Sequence, residues 1–233
     1  MIRTRKASER GHANHGWLNA RHSFSFGRYH DPRWMGFGPL RVINDDRIAP
    51  GRGFAEHPHA EMEIITIVLE GALAHADSTG SAGVLRRGDI QRMTAGTGIR
   101  HSEKNASTTE PIRLLQIWIE PATPGLAPGY EQRAFPESDR SGELRLIASP
   151  DGRDGSLTIH QDASLYLASL ASGDRVRHTI EPGRRVWVQI AEGSVTIAGE
   201  TYSEGDAAIL ENETEVTIEG ASDRSETVVF DLP

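Results

Sequence analysis

Hydrophobic residues are concentrated in short runs of Val, Ile, Leu and Thr, and these runs alternate with turns along the chain. Clear examples lie at 63–69, 114–119, 186–190 and 227–230. No segment keeps the 3.6-residue periodicity of a long amphipathic helix, and 24 Gly and 12 Pro residues punctuate the sequence. Many short strands bounded by turns are typical of a sandwich or barrel. We therefore predict an all-β protein.

One pair of turn signals occurs twice, which indicates an internal repeat. A Glu-Gly turn at 70–71 precedes a Gly-Asp turn at 88–89, and the same two turns recur at 192–193 and 205–206. In each copy the turns enclose a short hairpin between two apolar strands. The repeat predicts two related β-barrels.

A proline-rich segment, 121–150, separates the two copies. We predict an N-terminal barrel over residues 1–135, a linker over 136–147 and a C-terminal barrel over 148–233. A chain of 233 residues is long enough for two such domains.

Composition indicates an ordinary globular protein and narrows its partners. The formal net charge of -8 leaves no basic footprint for nucleic acid or anionic membrane. No run approaches the roughly 18 apolar residues of a membrane span, and no apolar segment follows the basic start as it would in a signal peptide. The lack of cysteine excludes disulfides, thiolate metal sites and cysteine nucleophiles. We expect a cytoplasmic protein that binds neither nucleic acid nor membranes.

Two tripeptides, His-Pro-His at 57–59 and His-Ser-Glu at 101–103, carry the strongest chemical signal. Each has metal-ligand side chains at positions i and i+2, which point to the same face of a β-strand. Two such strands facing each other inside a barrel would bring together His57, His59, His101 and Glu103. Zn, Fe, Ni, Mn and Cu(II) all accept this mixed nitrogen and oxygen set. We predict one divalent metal site with these four ligands.

The four ligands do not decide which metal binds. Three imidazoles and one carboxylate leave free positions on a five- or six-coordinate ion, whereas a closed structural zinc site is the alternative. Glu63 has the same strand phase as His57 and His59, so we expect its carboxylate to hydrogen-bond and orient one of the imidazoles.

The second copy of the repeat lacks this set. Counting from the turns, Thr179 and Glu181 take the places of His57 and His59, and Ile218 and Gly220 those of His101 and Glu103. The metal site is therefore expected in the N-terminal barrel alone. The other histidines are interpreted as surface or core residues: His12, His15, His22, His30, His75, His160 and His178.

Residues 51–71 resemble the first cupin motif, in which Gly, His-x-His and Glu follow one another; here they are Gly51, His57, His59 and Glu63. Residues 88–103 resemble the second motif. They depart from it because Thr94 replaces the usual Pro and because His101 comes two residues later than in most cupins.

These departures are similar to the pirin branch of the cupins, and segments 11–18, 22–26 and 40–46 resemble the same family. Parts of the C-terminal half, around 131–133 and 154–162, look similar to bacterial pirin-like proteins. The resemblance implies a bicupin, that is, two small double-stranded β-helix (jelly-roll) barrels. It also implies that His57, His59, His101 and Glu103 hold the metal and that Glu63 is not a ligand.

The resemblance further implies a quercetin 2,3-dioxygenase activity, in which O2 opens the heterocycle of a flavonol and carbon monoxide is released. We expect Fe(II), with Zn, Mn, Ni, Co or Cu as alternatives, and Glu103 as the general base for the substrate hydroxyl. Apolar side chains near the N-terminus are candidates for the pocket wall, or else plug the barrel end: Phe24, Phe26, Trp34, Met35 and Phe37.

The alternative is a non-enzymatic, metal-binding regulator or redox sensor that acts through protein–protein contacts, as eukaryotic pirins are described. Release of carbon monoxide that depends on O2 would separate the enzyme from the regulator. A monomer is expected, because the two barrels of a bicupin already pair within one chain.

Overall fold

The structure is a computed structural model, and it describes residues 2–233. The first half of the chain forms twelve strands: β1 (Ile2–Arg5), β2 (Gly11–Asn14), β3 (Leu18–His22), β4 (Leu40–Ile48), β5 (Gly53–His59), β6 (Glu63–Glu70), β7 (Ala72–Asp77), β8 (Ala82–Arg86), β9 (Asp89–Thr94), β10 (Ile99–Asn105), β11 (Ile112–Ile119) and β12 (Gly129–Ala134).

The second half adds ten more: β13 (Arg145–Ser149), β14 (Leu157–Thr158), β15 (Ser164–Leu170), β16 (Arg175–Thr179), β17 (Arg185–Glu192), β18 (Ser194–Ile197), β19 (Glu200–Ser203), β20 (Ala207–Glu211), β21 (Glu215–Gly220) and β22 (Ser225–Leu232). The described helices are single 3-10 turns at Ala7–Glu9, Glu137–Asp139 and Arg153–Gly155. None of the helices in residues 2–233 is long and apolar enough to cross a membrane.

The chain divides into two compact units, each built from a seven-stranded and a four-stranded sheet. One unit, called the N-terminal barrel below, contains Gly11–Ala134 and Ile159–Gln161. The other, called the C-terminal barrel, contains residues 2–10, Phe135–Thr158 and Asp162–Pro233. The predicted all-β bicupin is thus confirmed.

The domain ranges 1–135, 136–147 and 148–233 remain a prediction. The structure adds that β1 pairs with β20, so the first strand belongs to the C-terminal barrel. It also places a short segment, Ile159–Gln161, with the N-terminal barrel.

The two barrels repeat one strand order. The N-terminal barrel has sheets β12-β9-β6-β11-β4-β3-β2 and β5-β10-β7-β8, and the C-terminal barrel has β1-β20-β17-β22-β15-β13-β14 and β16-β21-β18-β19. The Glu-Gly turns that indicated the repeat have a steric reason. Gly71 and Gly193 have φ values of 77° and 67°, and a Cβ at Gly193 would lie 2.1 Å from the carbonyl oxygen of Arg224. Only glycine tolerates both conditions.

The interiors of the two barrels differ where the repeat aligns them. Val188 on β17 lies opposite Ala208 on β20 and Val229 on β22, and all three belong to one apolar cluster. The matching positions of the N-terminal barrel are polar: Thr66 lies opposite Gln91 and Gln116. This polar row of Thr66, Gln91 and Gln116 therefore lies between two apolar clusters of the N-terminal barrel, one around Val68 and one around Ile64.

The register also corrects the alignment of the two copies. His75 and Ile197 occupy the same position after the Glu-Gly turn of their own copy. Glu103 pairs with His75, and Ile218 pairs with Ile197, so Ile218 is the equivalent of Glu103. By the same ladder Val216 matches His101, and His178, which pairs with Val216, matches His57.

The equivalents Thr179, Glu181, Ile218 and Gly220 for His57, His59, His101 and Glu103 were therefore wrong, because the count crossed loops of unequal length. His178 retains an imidazole at one ligand position, where its Nε2 lies 2.7 Å from Oδ2 of Asp231. The neighbouring equivalents, Val216 and Ile218, are apolar.

Candidate metal centre

Strands β5 and β10 pair antiparallel and place His101 directly opposite His57. Burial along β10 alternates, with Ile99, His101, Glu103 and Asn105 buried and the residues between them more exposed. The two-residue period of a strand thus sends His101 and Glu103 to the barrel interior. On β5 the same period puts His57 and His59 on one face.

The three imidazoles converge. Ring centroids lie 4.7 Å apart for His57 and His59, 4.5 Å for His57 and His101, and 4.9 Å for His59 and His101. Their ligand nitrogens all lie within 4.8 Å of one another. The Nε2 atoms of His57 and His101 are 3.1 Å apart, and Nδ1 of His57 donates to the carbonyl oxygen of Ala55 at 2.8 Å. That bond leaves the Nε2 lone pair of His57 facing the centre of the cluster.

The electrostatics of the cluster suit a cation. Burial, together with the neighbouring imidazoles, lowers the pKa of His101 to about 3 and that of His59 to about 4. Both rings are therefore neutral at pH 7 and offer lone pairs. Nδ1 of His101 is buried and has no hydrogen-bond partner within residues 2–233. The converging imidazole nitrogens of this cluster are therefore suitable ligands for a divalent transition metal.

Glu103 lies beside this cluster and is held by the polar row. It accepts hydrogen bonds from Nε2 of Gln91 at 2.9 Å and from Nε2 of Gln116 at 2.7 Å. Burial raises the pKa of the Glu103 carboxyl to about 7, and its hydrogen bonds from Gln91, Gln116 and Thr66 oppose that rise. Because each carboxylate oxygen has two lone pairs, these contacts still leave acceptor sites for a metal or a proton.

His75 also lies at the centre, although no local spacing around it indicates a ligand. It lies opposite Glu103 on β7, and its ligand nitrogen, that of His101 and a Glu103 carboxylate oxygen lie within 4.8 Å of one another. Its Nε2 lies 3.0 Å from Oδ2 of Asp77, and its ring stacks on Tyr130 at 4.6 Å. The interpretation of His75 as a surface or core residue was incomplete, because its role follows from a cross-strand register rather than from local spacing.

Glu63 lies elsewhere. It is three residues from Thr66 on β6, and an odd spacing puts two strand residues on opposite faces. Its carboxylate accepts a hydrogen bond from Oγ1 of Thr94 at 3.0 Å and contacts Nδ1 of His160 at 3.2 Å. Burial raises its pKa, while Thr94, His160 and Arg92 oppose the rise. The expectation that Glu63 orients an imidazole of the cluster was wrong; the imidazole that it contacts is that of His160.

A cavity of about 270 Å³ opens onto the cluster. Its wall is partly apolar and partly polar, and it is formed by Leu18, Ala20, His22, Phe26, Asn44, Asp46, Phe54, His57, His59, Glu103, Gln116 and Trp118. Trp118 meets His59 edge to face at 5.0 Å and Phe26 at 5.4 Å. A flat aromatic ligand would find ring surfaces on this wall.

Of the five pocket candidates, Phe26 alone belongs to the described wall of this cavity. Phe24 and Phe37 are buried in the core, Trp34 is half-buried, and Met35 is 53% exposed. The aromatic residues that the prediction missed, Phe54 and Trp118, come from β5 and β11. Phe54 lies on the strand that carries His57 and His59, and Trp118 lies in the other sheet of the same barrel. The local sequence around residues 24–37 does not reveal either of them.

The chain is similar to known proteins along its whole length. A family model described as Pirin matches residues 3–119, and one described as Quercetinase C-terminal cupin domain matches residues 146–232. A protein of Escherichia coli K12 named quercetin 2,3-dioxygenase is 52% identical over 233 residues, covering 100% of this chain and 99% of the relative. A pirin-like protein of Caulobacter vibrioides is 42% identical and covers 99% of both chains.

Solved structures show the same similarity. The crystal structure of bacterial pirin YhhW from Escherichia coli in complex with nickel(II) has a TM-score of 0.94 at 51% identity, covering 100% of this chain and 99% of that one. Another crystal structure of YhhW has a TM-score of 0.95, covering 100% and 98%. These likenesses and the geometry of the cluster support a single divalent metal site.

Proposed function

The chain belongs to the pirin family, and on that premise we propose that it is a quercetin 2,3-dioxygenase. It would open the heterocycle of quercetin-like flavonols with O2 and release carbon monoxide. The observation that carries the proposal is the convergence of three imidazoles beside a buried carboxyl, at the end of a cavity with an aromatic wall. Relatives named quercetin 2,3-dioxygenase support the substrate class.

His57, His59, His101 and Glu103 would hold the metal. A bound divalent ion would supply an open coordination position and lower the pKa of a hydroxyl placed there. His57 is already fixed in the required tautomer by its bond to Ala55, so little reorganisation is needed. Gln91 and Gln116 hold the Glu103 carboxylate in one orientation.

Glu103 would accept the proton of the flavonol 3-hydroxyl. Because a metal binds the carboxylate form of Glu103, the group would be ionised and able to accept a proton in the metal-loaded protein. The hydrogen bonds from Gln91 and Gln116 leave a lone pair of the carboxylate free for that proton. The deprotonated flavonol is electron-rich, and its reaction with O2 yields the ring-opened depside and one carbon monoxide.

The cavity wall would position the flavonol. Phe26 and Trp118 stand edge to face, and Trp118 also contacts His59, so a flat ring packed on them would lie next to the metal ligands. Enclosure of the ligand by these side chains would also exclude water from the reacting oxygen.

We favour Fe(II) as the native metal, with Mn, Co, Ni, Cu or Zn able to occupy the same donors. The nickel(II) complex of YhhW shows that a close relative accepts another ion. A cytoplasmic monomer that binds neither nucleic acid nor membranes remains part of the proposal, and light scattering of the purified protein would test the monomer.

The test measures turnover of quercetin in metal-free protein and in protein reconstituted with metal. Metal-free protein would be reconstituted with Fe(II) without oxygen, mixed with quercetin and exposed to O2, with consumption of both substrates recorded. We expect consumption only in the reconstituted protein, and we expect Glu103→Gln to lower turnover more than metal content. If none of Mn, Fe, Co, Ni and Cu supports consumption, a non-enzymatic metal-binding regulator that acts through protein–protein contacts explains the site better. If Glu103→Gln turns over normally at pH 7, Glu103 is not the base.

A further inference from the structure

Asp46 is a buried carboxyl in the cavity wall whose cross-strand neighbours offer it no hydrogen bond. On β4 it lies opposite Leu114 of β11 and Ala20 of β3, and both are apolar. The preceding residue, Asp45, points to the other face and accepts two hydrogen bonds from Arg113, at 2.9 and 3.0 Å. The strand therefore carries one fully paired carboxylate and one that faces the cavity.

The Asp46 side chain lacks the partner that a buried carboxyl normally has. The residue is 4% exposed, and its Oδ1 has no hydrogen-bond partner within the described residues 2–233. Nearly all buried polar groups in proteins are paired, because an unpaired one costs free energy. Such a group in a cavity wall indicates that a ligand atom supplies the partner.

Two other polar side chains of the wall, those of Asn44 and Gln116, are already engaged, whereas Nε1 of Trp118 is buried without a partner within residues 2–233. Oδ1 of Asn44 lies 2.7 Å from Nδ1 of His22, and Gln116 donates to Glu103 and accepts from Thr66. Asp46 thus offers a hydrogen-bonding group to a ligand without breaking one of these contacts. Burial raises its pKa to about 8, and the nearby Asp45 and Glu103 add to the rise. A neutral carboxyl can both donate and accept, so it suits a phenolic hydroxyl.

We propose that Asp46 is a specificity-determining residue that binds a phenolic hydroxyl of the flavonol other than the 3-hydroxyl. The inference rests on the proposed function, because it assumes that a flavonol occupies this cavity. The metal ligands would hold the 3-hydroxyl end, and Asp46 would hold a hydroxyl elsewhere on the rings. The site would therefore select polyhydroxylated flavonols over those that carry the 3-hydroxyl alone.

The test compares two ligands and two variants without turnover. The probes are quercetin, which carries several phenolic hydroxyls, and 3-hydroxyflavone, which carries only the one proposed to meet the metal. Binding to zinc-loaded protein is followed by the absorbance shift of the flavonol without O2, because zinc is redox-inert. Asp46→Leu keeps the branching of the side chain at Cγ and removes the hydrogen-bonding oxygens, whereas Asp46→Asn keeps the size and a hydrogen-bonding group and serves as the matched control.

We expect Asp46→Leu to weaken quercetin binding about five- to tenfold, the effect of one lost hydrogen bond, and to leave 3-hydroxyflavone binding unchanged. Asp46→Asn should restore most of the affinity for quercetin. Equal losses for both flavonols in Asp46→Leu, or no loss for quercetin, would overturn this inference while leaving the dioxygenase proposal intact. If the wild-type protein binds neither flavonol, the proposed function fails and the inference fails with it.

Discussion

Metal binding should displace a proton from Glu103, and this linkage gives a quantitative test of the ligand set. In the metal-free protein burial raises the pKa of Glu103 to about 7 from the ordinary 4.5. A metal binds the carboxylate form, so the proton must leave when the ion enters. His59 and His101, with pKa values lowered to about 4 and 3, are already neutral and contribute little near pH 7.

The magnitude follows from the protonated fraction of Glu103. With a pKa of about 7, that fraction is about 0.9 at pH 6, about 0.5 at pH 7 and about 0.1 at pH 8. Glu103→Gln has no titrating group at this position but leaves the three imidazoles in place. The difference in protons released between the wild type and the variant should therefore fall along this curve.

Calorimetric titration with zinc in two buffers of different ionisation enthalpy counts the released protons. The experiment would be repeated at pH 6, 7 and 8 for both proteins. The variant corrects for protons released by any other group. A difference near zero at all three pH values would show that Glu103 does not lose a proton to the metal, and our account of the ligand set would be refuted.

Three further predictions follow from individual contacts. His101→Ala should abolish metal retention and leave the circular dichroism of the β-fold unchanged; full metal occupancy would remove His101 from the ligand set. Gln116→Leu, which deletes a donor to Glu103, should weaken metal affinity about 10- to 100-fold in a competition with a chelator, and unchanged affinity would show that this bond does not orient the ligand. Asp46→Leu should raise the melting temperature of the metal-free protein by several degrees. Because the folded-state pKa of Asp46 lies near 8 and its ordinary pKa near 3.8, the wild type loses stability as pH rises between these values. The increase in melting temperature caused by Asp46→Leu should therefore be larger at pH 8 than at pH 5. An increase that does not grow with pH would contradict this explanation.

The metal cluster could be predicted from the sequence because its geometry is local. An i, i+2 spacing on a strand fixes a common face whatever the rest of the fold does, so His57 with His59 and His101 with Glu103 could be paired within each strand. We expected β5 and β10 to face each other inside the barrel, but they are neighbouring strands of one sheet. Their register, which sets His101 opposite His57, brings the two motifs into one cluster.

Glu63 shows where the same rule fails. Its phase matches that of His57 and His59 only if the strand continues, but β5 ends at His59 and β6 begins at Glu63. Glu61 between them has a φ of 51°, in the left-handed region. The turn therefore breaks the alternation, and Glu63 contacts Thr94 and His160 instead.

The remaining parts of the site depend on long-range register. His75, Asp46 and Trp118 reach the centre or its cavity from β7, β4 and β11, which are far from the two ligand motifs in sequence. Their roles are set by which residue each faces on the neighbouring strand, for example Glu103 opposite His75. No local periodicity contains that information.

The ratio of carbon monoxide released to flavonol consumed distinguishes a dioxygenase from a protein that only binds flavonols or oxidises them by another route. Protein reconstituted with Fe(II) would receive quercetin and then O2, with His57→Ala treated identically as the control. Our account predicts one carbon monoxide for each quercetin consumed by the wild type and none from the variant. Quercetin consumption without carbon monoxide, or equal release by His57→Ala, would contradict a dioxygenase centred on the N-terminal metal site.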